Sequence, residues 1–133
     1  MANSFELQIR EFENMTAERS ELLFKKVCFD LSHSIIMDTA VLSGAARGNW
    51  QPDINSIQND VLEVEDKSGN ATVAKVASQT SNLKLGQYFT LTNNLPYILR
   101  LEYGWSKKSP KGMLGINVMR FQNFVNQANK DIK

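Results

Sequence analysis

His33 is the only histidine in this 133-residue chain and Cys28 its only cysteine. A thiol and an imidazole in mutual reach would make a nucleophile and its base. Cys28 stands five residues before His33, and Asp38 five after it. Five residues of helix turn through about 500°, so neither partner faces the imidazole well. A lone cysteine closes no internal disulfide, and the chain has no ligand cluster with metal-binding spacing. Gly44 and Gly48 bracket three residues, but the lysine and hydroxyl that complete a phosphate-binding loop are missing. Glu63, Glu65 and Asp66 lack the glycine and the spacing of a calcium loop and read as a solvated acidic turn. The expectation is a protein that is no enzyme and carries no cofactor and no metal.

The chemistry that remains is recognition. Asn93 to Met113, NNLPYILRLEYGWSKKSPKGM, holds two of the three prolines, two of the three tyrosines and one of the two tryptophans. It also holds Arg100, Lys107, Lys108 and Lys111 against a single acid, Glu102. Such side chains dominate well-packed interfaces, which makes Arg100, Glu102, Tyr103, Trp105, Lys107, Lys108 and Lys111 candidate contact residues. The plainer alternative is an ordered connection whose aromatics fill the edge of the core. Lys107, Lys108 and Lys111 beside Tyr103 and Trp105 also fit phosphate contact with base stacking, as in a small nucleic-acid-binding protein.

Length and composition set the frame for these residues. A chain of this length makes one domain, residues 1–133, with room for a core. Apolar content of 42% and charged content of 22% fit a soluble globular protein. No apolar run approaches the ~20 residues of a membrane span. The start, MANSFELQIREFE, carries acids where a signal peptide has a basic start and an apolar stretch, so the expected site is the cytoplasm. Residues 1–66 have twelve acids and five bases, net −7; residues 67–133 have two acids and ten bases, net +8. If the fold keeps these halves apart, neighbouring copies attract head to tail; if it mixes them, the asymmetry disappears.

The elements that must position the recognition stretch follow from periodicity. Ser4–Glu13 reads as a short helix, with Phe5, Ile9 and Phe12 on one face and a break at Asn14-Met15-Thr16. Thr16 to about Thr39 reads as the main helix, with Leu23, Val27, Leu31 and Ile35 as its ridge. Gly44 to Asn49 ends it. A strand starting at Trp50 is cut by Pro52, and Val61–Val64 is a second short strand candidate. Lys67–Asn70 reads as a turn, Ala71–Leu83 as a helix and Gln87–Thr92 as the best strand. Pro96 suits the first position of a short helix over Tyr97–Tyr103, stopped by Gly104. After Pro110 and Gly112 one terminal helix runs on, with Met113, Ile116, Phe124 and Ala128 on one stripe and Val118, Phe121 and Val125 on another. The class is α+β.

Three stretches carry a resemblance. They are Asp38-Thr39-Ala40-Val41-Leu42-Ser43-Gly44-Ala45-Ala46-Arg47-Gly48-Asn49-Trp50, then Thr92-Asn93-Asn94-Leu95-Pro96-Tyr97, then Leu101-Glu102-Tyr103-Gly104-Trp105-Ser106 with Pro110-Lys111-Gly112-Met113. In order and spacing the chain resembles the tail-completion proteins of tailed bacteriophages, the head–tail connector or neck proteins that include relatives of the lambda minor tail protein Z. The match spans roughly residues 5 to 128. It departs at Ala40, where the pattern usually has glycine, and at Ser43–Ala46, which is extended relative to it.

The resemblance implies an α+β fold with a long N-terminal helix and a C-terminal helix packed on a small antiparallel sheet. It implies a structural virion protein without catalysis, present in the neck and in the host cytoplasm during assembly. The implied assembly is a ring of six or twelve copies between a head-side connector protein and the tail tube or tail terminator protein. DNA passes through its channel without sequence-specific binding, and no membrane is involved. Gly48, Asn49, Trp50, Asn93, Pro96, Tyr97, Gly104, Pro110 and Gly112 are its structural motif residues. The aromatic-basic loop would grip a neighbouring subunit, with Glu102 accepting from a lysine or arginine there.

Overall fold

The computed structural model describes residues 2–104 and 111–132, with side chains from residue 16 on. Helix α1 (Ala2–Asp38) is a single 37-residue element. It runs unbroken through Asn14-Met15-Thr16, where the sequence predicts a break. None of these three is glycine or proline, and each lowers helix stability by only tenths of a kcal/mol. At 1.5 Å per residue the helix is about 55 Å long.

One turn of helix, α2 (Ala45–Gly48), follows Gly44, whose φ of 93° is the left-handed conformation glycine adopts without strain. Strand β1 (Gln51–Ile54), helix α3 (Asn70–Ser81), strand β2 (Phe89–Thr92) and short helix α4 (Ile98–Glu102) come next. Helices α5 (Leu114–Met119) and α6 (Phe121–Asp131) complete the described chain. The fold is α+β, with the long N-terminal helix and the small antiparallel sheet expected. β1 and β2 pair from Gln51 opposite Thr92 to Ile54 opposite Phe89. Pro52 lies inside β1 rather than cutting it, because both strands of a two-stranded sheet are edges, where proline is tolerated.

Three further expectations change. Val61–Val64 forms no strand; side-chain amides hold it, as described below. Pro96 does not open α4. It sits inside the turn from Leu95 to Ile98, closed by the Ile98 N–H on the Leu95 carbonyl at 3.2 Å, where its fixed φ fits the second position. The terminal helix is two helices, separated at Arg120 (φ −87°, ψ 3°). The buried Asn117 side chain ties α5 to α1: it accepts from Ser34 Oγ and donates to Asp38 Oδ2 at 2.9 Å. After the interruption, α6 meets α1 nearer its middle, where Lys26 Nζ lies 3.6 Å from Asp131 Oδ2.

The core lies where α1 meets the other elements. Ile35, Ile36, Trp50, Val76 and Met113 form its buried centre, ringed by Phe29, Leu31, Val73, Phe89, Leu91, Ile98 and Leu101. α3 packs on α1 and on β1, while α5 and α6 pack on α1. The end of α1 is capped from a distance. Arg47 donates from Nη2 to the Met37 carbonyl at 2.8 Å, from Nε to the Thr39 carbonyl at 3.2 Å and from Nη1 to the Lys67 carbonyl at 2.7 Å. Its cation satisfies orphan carbonyls at the negative end of the helix dipole.

Candidate interaction surface

Two clasps shape the surface, and each is built from resemblance residues. The first gathers the loop between β1 and α3. Asn49 is fully buried, and its side-chain amide pairs with both backbone groups of Leu62: Oδ1 accepts from the Leu62 N–H at 2.7 Å, and Nδ2 donates to the Leu62 carbonyl at 3.1 Å. Gln51 Nε2 donates to the Asp60 carbonyl at 2.7 Å, and Asn94 Nδ2 to the Gln58 carbonyl at 2.9 Å. Asn93 Nδ2 reaches the Ala46 carbonyl at 2.9 Å, linking the end of β2 to α2. Gly48 is required by closeness: a Cβ there would stand 2.6 Å from Val64 Cγ2. These amides do the work of the strand ladder that the sequence predicts over Val61–Val64. Trp50 is core, 3% exposed, with Nε1 donating to Thr39 Oγ1 at 2.9 Å.

The second clasp joins α4 to α5. Glu102 Oε1 accepts from the N–H groups of Met113 at 3.1 Å and Leu114 at 2.7 Å, and Oε2 accepts from Gly115 at 2.8 Å. Partial burial pushes this carboxyl up, but the three backbone N–H groups outweigh that and hold it below the ordinary glutamate range. Glu102 therefore caps α5 within its own chain. An acid at a helix start meets both the orphan N–H groups and the dipole. Gly112 (φ 73°) brings the chain against Glu102, and Gly104 (φ 83°) turns it out of α4.

The remaining candidates divide by exposure. Tyr103 is 77% exposed and Leu99 63%. Arg100, next to Leu99, is exposed, as are Lys111, Tyr97 and Pro96. Trp105, Lys107, Lys108 and Pro110 lie outside the described residues. The rim thus carries apolar and basic side chains around a rigid, internally capped turn.

Sequence reading missed several positioning residues. Arg47 carried no local signal, since its partners lie eight and ten residues before it and twenty after it. Asp66 did carry one, an acid just ahead of a helix start. Its Oδ2 accepts from the N–H of Thr72 at 2.8 Å and from its hydroxyl at 2.7 Å. Burial pushes Asp66 up, and its bonds from Thr72, Gly69 and Ser68 outweigh this and hold it below the ordinary aspartate range. It is the cap of α3, not part of a solvated turn, whereas Glu63 and Glu65 are exposed as expected.

The side chains with catalytic potential stay apart from this rim. His33 is exposed and its ring stacks on Phe29 at 6.0 Å. Cys28 is part of an apolar groove, and burial pushes its thiol up to about 11, which keeps it protonated and unreactive near neutral pH. Among the described residues, no three His, Cys, Asp or Glu side chains gather as metal ligands.

Several hollows lie along α1. At its C-terminal end a polar groove of about 640 Å³ is lined, among the described residues, by Arg47, Lys67, Lys111 and Arg120 and by one acid, Asp38. Asp38 takes part in pairing there, with Arg120 Nη1 3.6 Å from its Oδ2. Along the middle of α1 runs an apolar groove of about 460 Å³. Its floor is α1 from Ser20 to Ile35, one wall is Phe89 and Leu91 of β2, and the other is Leu114, Val118, Phe121 and Val125 of α5 and α6. Val118 is 56% and Phe121 49% exposed. No helix among the described residues is long and apolar enough to cross a membrane. Comparison with known proteins finds no match: no protein-family model, no curated protein and no solved structure is similar to this chain.

Proposed function

We propose that this chain is a structural protein of the bacteriophage neck. It completes the tail and helps join it to the DNA-filled head, as a ring of copies around the DNA channel. A head-side connector protein meets one face of the ring and the tail tube or tail terminator protein the other. In this reading the chain performs no catalysis, and its place is the virion neck.

The observation that carries the reading is a rigid turn with an apolar-basic rim. Leu99 and Tyr103 stand out from α4, while the Glu102 carboxylate beneath them is locked onto α5 by three backbone N–H groups. A surface that is apolar outside and preorganised inside loses little freedom on docking. The motif stretches supply that preorganisation.

The test is removal of the gene from its parent phage, with electron microscopy of the lysate. Filled heads and tails lying separate, and joined on adding the purified protein, are expected. Intact infectious particles would end the proposal.

A second reading has one observation in its favour. Among the described residues, the polar groove is lined by four cationic side chains against one acid, the composition of a phosphate-binding surface. In that reading the protein binds nucleic acid, and affinity falls steeply with salt. Duplex DNA binding that survives physiological salt and is lost in Lys67→Glu and Lys111→Glu would favour it over the neck.

A further inference from the structure

We propose that the polar groove at the C-terminal end of α1 receives the acidic loop between β1 and α3, Asn55 to Glu65, from a second copy of this chain. The inference rests on the ring reading and names the contact that links its subunits. It gives to protein the groove that the second reading gives to nucleic acid.

Among the described residues, four cations against one acid leave the groove a net charge of +3. Two of the cations are engaged within the chain. Arg47 clamps the end of α1, and Arg120 lies 3.6 Å from Asp38. The ammonium groups of Lys67 and Lys111 are different: both residues are exposed, and neither pairs with an acid among the described residues. Leu42, 90% exposed, and the exposed Met37 line the same groove. A hollow that is basic and apolar together fits an occupant that is acidic and apolar together.

The loop has that composition. Residues 55–65 carry three acids, Asp60, Glu63 and Glu65, and no base, a net charge of −3. All three acids are exposed, and none forms an ion pair among the described residues. Ile57, Val61 and Val64 are exposed on the same loop. The side-chain amides of Asn49, Gln51 and Asn94 hold Leu62, Asp60 and Gln58 by their backbone. The carboxylates therefore stand on a fixed main chain, and docking costs little ordering. The same bonds tie the loop along α2 and β1, and none of its acids lines its own groove. The acids that fill the groove must come from another molecule.

A second copy brings them in matching number. The loop closes the acidic half of the chain, residues 1–66, while Lys67, Lys111 and Arg120 belong to the basic half. The division of charge along the sequence thus becomes two complementary surfaces. Because loop and groove are different surfaces, each copy can give its loop to the next, a head-to-tail contact that closes into a ring.

The test uses the full chain in two variants. The loop variant is Glu63→Lys with Glu65→Lys, and the groove variant is Lys67→Glu with Lys111→Glu. All four positions are exposed, where substitution costs the fold little. Sedimentation analysis of the unaltered protein should show concentration-dependent self-association. Each variant alone should associate at least about tenfold more weakly, because like charges then face each other across the contact. Mixed in equal amounts, the two should associate again. The reversed loop of one meets the reversed groove of the other, and the unaltered loop and groove meet as before. An unaltered protein that stays monomeric, a variant that assembles normally, or a mixture that stays unassociated would each overturn the proposal. Duplex DNA that binds the unaltered protein but not the groove variant, with self-association unchanged in both variants, would give the groove to nucleic acid instead. Adding the loop variant to the gene-deleted lysate separates this contact from the neck role. Heads and tails joined by it would sink the loop contact and leave the neck role standing. Association restored in the mixture, with infectious particles formed without the gene, would keep the contact and end the neck role.

Discussion

Glu102 and Gly112 touch across the gap between α4 and α5. A Cβ on Gly112 would stand 2.9 Å from Glu102 Oε1 and 3.0 Å from the Glu102 carbonyl carbon. The same carboxylate collects the first N–H groups of α5. The exposed rim of α4 thus owes its position to a contact that leaves no room for a side chain.

Gly112→Ala should lower stability by at least ~2 kcal/mol, since the new methyl group meets backbone as well as a positive φ. Glu102→Ala should cost about 1–3 kcal/mol through the unpaired N–H groups of α5. Urea unfolding of both variants checks this. An unchanged midpoint in Gly112→Ala would show that the turn relaxes freely.

Acid should weaken the fold through two carboxylates. Glu102 and Asp66 are both held below their ordinary range in the folded chain. Their contribution is present above the unfolded values, near pH 4, and is lost as pH falls through the lower folded ones. The urea midpoint should therefore drop as pH falls below about 4. Glu102→Gln with Asp66→Asn should start lower at pH 7 and show a flatter decline.

Asn49→Ala should release the loop between β1 and α3. It leaves the Leu62 N–H and two carbonyls without their present partner, a loss of about 1–3 kcal/mol. Hydrogen exchange at the Leu62 amide should speed up well before global unfolding. Protection equal to that of the unaltered protein would show that Asn49 is not what holds the loop.

Arg47→Lys should behave as a loss rather than a conservative change. A lysine cannot reproduce a fork that reaches three carbonyls at once. A fall of about 1–2 kcal/mol in thermal or urea unfolding is expected, from helix-end stabilisation and lost hydrogen bonds.

Leu99→Ala and Tyr103→Ala should leave stability within about 0.5 kcal/mol, as exposed positions do. In the proposed neck role they should reduce the joining of heads to tails by the purified protein. A large drop in the unfolding midpoint would make them structural instead.

The long helix, α3 and β2 were legible because apolar spacing and strand-forming residues record which face is buried. Leu23, Val27, Leu31 and Ile35 stand four apart, the spacing of one helical ridge. The glycine and asparagine stretches were visible as turns, yet their partners were not. Nothing local in Asn49 tells that its amide will replace a ladder for Leu62, thirteen residues on. The role of Glu102 as the cap of α5 was not visible either, because it depends on the approach of Gly112 and the start of α5 ten or more residues on. The division at Arg120 likewise depended on Asn117 meeting Ser34 and Asp38, some eighty residues earlier in the chain. Sequence alone determined which segments could be helix or strand, since that is governed by propensity and period within a few residues. Only the tertiary structure decided where the polar side chains would find partners, because a buried amide or carboxylate takes whichever backbone the packing brings within 3 Å.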